Sequence, residues 1–141
     1  ARLRGEDTGR MGGWFCLSNG TEERNVLLHV PVGTVLVSQS ERYKEFSYEK
    51  GQRLFGRLQN RSSWESRNPK ENRWGGAVRA GRFILSFSGL PELADEAAML
   101  HLGVILNLLT REEARRIAQA SGNQHYLALK DIHFRTPVPL R

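Results

Sequence analysis

Cysteine is nearly absent from this sequence: Cys16 stands alone among 141 residues. A single thiol cannot close an internal disulfide. That excludes a cysteine-stapled secreted scaffold, a CxxC redox motif and a zinc site built on thiolates. Within a predicted strand, Cys16 reads as a small buried hydrophobe rather than a nucleophile. Long apolar runs are missing as well. No stretch approaches the ~18 residues of a membrane span. The charged opening, Ala1-Arg2-Leu3-Arg4-Gly5-Glu6-Asp7, lacks the apolar core of a signal peptide. A cytoplasmic protein without a membrane span is the expectation. The sequons Asn19-Gly20-Thr21 and Asn60-Arg61-Ser62 are accordingly read as chance matches. Histidine is scarce, and His29, His101, His125 and His133 stand too far apart for a metal-ligand spacing, so no metal site is expected. The phosphate-loop signatures, the HExxH zinc motif and the GxSxG elbow are all lacking. No catalytic residue is assigned, and an enzyme is the least supported reading.

What is present suits one globular domain. The chain has 16.0 kDa, 39% hydrophobic and 26% charged residues, enough to bury about two thirds of its unfolded surface. The expected division is a loosely ordered segment over 1–13, a single α+β domain over 14–135 and a tail over 136–141. Trp14–Ser18 reads as a strand closed by the turn pair Asn19-Gly20. Asn25–Val30 and Thr34–Val37 read as strand on either side of Pro31, which is tolerated only at an edge or a bulge. Helical period runs from Ser40 to Asn60, where Gly51 and Gly56 mark close packing of the helix against a sheet. Residues 61–73 form a long polar loop. Ala77–Arg79 and Arg82–Ser88 form a hairpin turning at Ala80-Gly81. Phe83, Leu85 and Phe87 share one face of its second strand, and Ile84, Ser86 and Ser88 the other. A helix spans Pro91–Leu109, its apolar arc broad enough to meet another subunit, so a homo-oligomer is expected. Thr110 and Glu113 form a capping box for a further helix ending at Gly122. The segment His125–Phe134 fits a last strand. Together these predict an antiparallel sheet with helices packed on it, an α+β fold.

Charge is unevenly placed. Residues 42–82 carry eleven basic and four acidic side chains, whereas the flanking thirds are close to neutral. Such a block attracts phosphates or acidic partners, and it also suits a solvated helix face and loop. Trp64 and Trp74 flank its loop together with Arg61, Arg67 and Arg73. Aromatic and arginine side chains so placed can stack a base and hold its phosphates, or anchor the loop ends to the domain. A basic interaction module over 42–82, binding nucleic acid or an acidic partner, is therefore one functional reading.

The run Ser88-Gly89-Leu90-Pro91-Glu92-Leu93-Ala94-Asp95-Glu96-Ala97 supports another. It resembles the haem-degrading-domain family, the GlcG-like and HbpS-like proteins. That family runs a strand into Ser-Gly and sets an Asp six residues after the Gly, as Asp95 stands after Gly89. Glu49-Lys50 on the preceding helix, the long loop, Gly75-Gly76 and the short hairpin also fit, over about residues 34–105. The chain departs from the family in lacking a small-residue-rich N-terminal helix and in adding residues 110–141. The resemblance implies a profilin-like sheet, homo-oligomers and a bound small ligand, haem or a related cofactor, without strong catalysis. It implies Ser88 and Asp95 as ligand-site residues. For haem, His101 supplies a candidate axial nitrogen and Arg79 or Arg82 a cation for a propionate.

Overall fold

The structure, a computed structural model, describes residues 10–21 and 23–128. Four strands, β1 (Met11–Asn19), β2 (Val26–Thr34), β3 (Ala77–Ala80) and β4 (Phe83–Ser88), form one antiparallel sheet in the order β2-β1-β4-β3. The helices α1 (Val37–Phe55), α2 (Glu92–Ile105) and α3 (Arg111–Ser121) pack with it in an α+β fold. The alternation along β4 decides which helix covers which face. Leu85 and Phe87 join Val78 and Ala80 in a core with Leu100, Ala97 and Met99 of α2 and Ile117 and Ala118 of α3. On the other face Ile84 meets Leu54 of α1, and Ser86 donates its hydroxyl to the Ser47 carbonyl at 2.7 Å.

Several boundaries differ from the sequence expectation, each for a local reason. β1 begins at Met11, within the segment expected to be loose, because Gly12 and Gly13 permit a close approach of backbones. A Cβ on Gly13 would lie 2.1 Å from the Ser88 carbonyl oxygen. β2 runs straight through Pro31, since an edge strand has only one neighbour to pair with. It ends at Thr34, so Val35–Val37 is not strand, and α1 starts at Val37 and stops at Phe55 rather than spanning 40–60. Gly51 does mark close packing, but of the Arg24 guanidinium, whose Nη2 would lie 2.3 Å from an added Cβ; Gly56 is the helix C-cap. α2 ends at Ile105, because the chain takes a left-handed turn at Asn107 and returns the Leu108 and Leu109 N–H groups to the Gly103 carbonyl.

α2 packs on the sheet on one side and on α3 on the other, while Ile105 at the end of its apolar arc is 76% exposed. Thr110 caps α3, accepting from the Glu113 N–H at 3.0 Å, and Gly122 closes it in the left-handed region. Residues 124–128 are helical, not strand, with the Asn123 side chain accepting from the Tyr126 N–H; the rest of the expected strand, 129–134, lies outside the described residues. Cys16 is fully buried, and burial pushes its thiol above the ordinary range. Asn19 of the first sequon is used locally, its Oδ1 accepting from Thr21. No helix among the described residues is long and apolar enough to cross a membrane.

Candidate functional site

One stripe of α1, Gln39, Arg42, Tyr43, Phe46 and Lys50, faces a cleft of about 560 Å³. These positions recur at three- and four-residue steps, which places them on a single side of the helix. Trp64 and Trp74 from the long loop form a second wall. The turn from β4 into α2, Ser88 to Asp95, forms the third, and Arg10 and His125 complete the lining.

The floor is an ion pair. Lys50 Nζ donates to Asp95 Oδ2 at 3.0 Å and to the Phe87 carbonyl at 2.7 Å, with both residues about 1% exposed. Asp95 Oδ1 accepts from the Leu90 N–H at 2.9 Å, which ties the start of α2 to the turn before it. Burial pushes the Asp95 carboxyl up to about 6 against the pull of Lys50, the Leu90 N–H and Arg10. Gly76 makes room for the pair. Its φ is 126°, and a Cβ there would lie 2.6 Å from Lys50 Nζ and 2.9 Å from the Asp95 Cβ.

The loop that carries the tryptophans is held by arginines. Arg53 on α1 donates to the Ser66 hydroxyl at 2.7 Å and to the Ser63 and Trp74 carbonyls, and it pairs with Glu49. Arg67 makes a two-toothed ion pair with Glu92 and lies 4.3 Å over the Trp64 ring. That hydrogen bonding raises the Arg67 pKa further above its ordinary value. Glu92 also accepts from the Gly75 N–H at 2.8 Å. The loop itself contains two short 3-10 turns, Ser63–Ser66 and Pro69–Glu71.

Of the residues singled out from the sequence, Ser88, Asp95, Trp64 and Trp74 converge on this cleft. Arg79 does not. It closes the far end of α1, donating to the carbonyls of Leu54, Arg57 and Asn60. Arg82 is exposed at the hairpin, 5.7 Å over the Phe83 ring. His101 lies outside the cleft, its ring 4.6 Å from that of Tyr126; the imidazole on the cleft lining is His125. Arg61 reaches Glu113 at 3.9 Å and Arg73 reaches Glu71 at 3.6 Å, both at the surface. The residues that sequence reasoning missed are Tyr43, Phe46 and Arg42. Their spacing along a helix was the available signal. No cluster of histidine, cysteine and carboxylate side chains among the described residues could hold a metal ion. No family model matches the chain, and neither a curated protein nor a solved structure does.

Proposed function

We propose that this chain is a small-ligand-binding domain, of profilin-like architecture and cytoplasmic, and that the cleft takes a flat, largely apolar molecule bearing an anionic group. The observation that carries the reading is the combination of lining chemistry. Tyr43, Phe46, Trp64 and Trp74 offer aromatic surface, and both carboxylates on the lining, Glu92 and Asp95, are already held in ion pairs. Arg10 and Arg42 therefore leave the mouth of the cleft positive. A concave, mostly apolar site with a few placed charges is the usual form of a small-molecule site. Haem or a related cofactor belongs to this chemical class. Were haem bound, Arg42 and Arg10 would be placed to meet its propionates, and the imidazole on this lining that could ligate it would be His125 rather than His101. The alternative, a basic module over 42–82, loses four of its eleven cations, Lys50, Arg53, Arg67 and Arg79, to partners within the fold.

Quenching of tryptophan fluorescence by ferric haem and by a naphthalene carboxylate tests the proposal. Saturable one-to-one quenching is expected, weakened roughly tenfold in Arg42→Glu, in keeping with about 1.4 kcal/mol for one charge-assisted contact. With haem, the Soret shift should survive His101→Ala and be lost in His125→Ala. Non-saturating quenching indifferent to Arg42 would overturn the reading. Binding to single-stranded DNA that falls steeply with salt would favour the basic module instead.

A further inference from the structure

The helices cover the two faces of the sheet unequally. α1 packs on β1, β3 and β4, whereas α2 lies over β3 and β4 and α3 stacks on α2. On the α2 side, the outer half of the sheet is left without a helix among the described residues. Register fixes what it shows. Phe15 pairs with Phe87 and Leu17 with Leu85, so both point to the α2 side. Leu28 pairs with Leu17, Val30 with Phe15 and Val32 with Gly13, so these β2 residues share that side. Leu28 and Val32 are 44% and 48% exposed, and Phe15, Leu17 and Val30 are only partly buried.

We propose that this half-face is the contact between two copies of the chain, packed sheet on sheet about a twofold axis. Three observations support a second copy as the occupant. First, β2 contains no Asp, Glu, Lys or Arg from Val26 to Thr34. An isologous contact sets each residue against the same patch of its partner, so a neutral apolar face fits itself, and a charged partner finds no counter-charge there. Second, the patch continues, strand by strand, the layer that forms the core under α2, with Phe15 and Leu17 already packed against it. Third, the edge of β2 is unsuited to the competing mode, pairing main chain to main chain. The register slips between Leu17 and Ser18, leaving Leu27 as an extra residue in β2, and Pro31 offers no N–H. Face packing avoids both interruptions. Two nine-residue strands about 30 Å long and about 4.8 Å apart present roughly 300 Å² of flat face per copy, so the contact is small and the dimer a weak, exchanging one rather than an obligate one.

Sedimentation equilibrium of the full chain from about 5 to 300 µM, where a weak, exchanging dimer is populated, reads the association directly. The expected result is a monomer–dimer equilibrium that Leu28→Lys and Val32→Lys each shift at least tenfold toward monomer, with thermal midpoints kept because both side chains are exposed. A second readout does not depend on those variants. Val32→Cys should be joined to its partner by a short bismaleimide, whereas Leu58→Cys, 73% exposed elsewhere, should not; Cys16 is fully buried and gives no background. A wild-type monomer throughout the range would overturn the proposal. So would a dimer unaffected by either lysine, which would place the contact on another surface.

Discussion

Replacing Lys50 by methionine removes the ammonium beneath the cleft while nearly preserving side-chain volume. What is left is a buried carboxylate on Asp95 that still accepts from the Leu90 N–H at 2.9 Å. Removing one partner of a buried ion pair costs about 3–5 kcal/mol, mostly because the other charge is stranded. For a domain of this size that corresponds to a fall in Tm of about 10–20 °C. The pH dependence separates this cause from simple loss of packing. Burial raises the Asp95 carboxyl from 3.8 to about 6. Its contribution to stability is thus fully present below about pH 4 and is lost as pH rises through about 6. Without Lys50 the carboxyl rises further, since an attraction that lowered it has gone. The deficit of Lys50→Met should therefore be greatest at pH 8 and should narrow below pH 6, where Asp95 is protonated and needs no counter-charge. The double variant Lys50→Met/Asp95→Asn should recover about half of the loss at pH 8, because no charge is then stranded. Urea denaturation at pH 8 and pH 5 measures all three. A deficit below about 1 kcal/mol, or one equal at the two pH values, would refute the reasoning.

Two further perturbations probe the same interior. Glu96 is fully buried, and its Oε2 accepts from Ser121 and Asn123; burial raises its pKa despite those bonds, so its contribution is present below the ordinary carboxyl range and lost as pH rises through the raised value. Glu96→Gln keeps an acceptor for both donors and removes the charge, so it should be more stable than wild type at pH 8 and show no gain at pH 4; a loss at pH 8 would contradict this. Gly76→Ala forces a Cβ into the Lys50–Asp95 pair at a backbone angle that disfavours L-residues, and chemical denaturation should show a loss above about 2 kcal/mol. A near-neutral change would mean that the pair has room to move.

The features legible in the sequence are those whose cause is local. Gly81 turns the β3–β4 hairpin with φ of 62°, Thr110 and Glu113 cap α3, and the alternation in β4 sorts Leu85 and Phe87 from Ile84 and Ser86. The strand-to-helix turn at Ser88-Gly89 with Asp95 also follows from residues close in sequence, and it does form one wall of the cleft. Nothing local reveals the residues that complete that wall. Lys50 finds Asp95 across 45 positions, and Arg67 finds Glu92 across 25. Counting charge along the chain treats both cations as part of an exposed basic block, although each is committed to a carboxylate.

That commitment also decides what the basic block can do. Its inward members fix geometry: Arg53 fastens the loop to α1, Arg67 fastens it to α2, and Lys50 joins α1 to α2 beneath the cleft. The loop is long because it must cross from the end of α1 to β3 while presenting Trp64 and Trp74 to the same cavity. Its polarity therefore does not require solvation or a nucleic-acid partner. Buried arginine and lysine hold an aromatic wall in place, and the exposed Arg42, on the opposite wall, supplies the charge that a ligand would meet. The fold thus divides the positive charge of the middle third between cations that hold the structure together and the exposed Arg42 on the cleft. Neutralising Arg42 should affect binding alone, whereas neutralising Arg53 should loosen the loop and the cleft together.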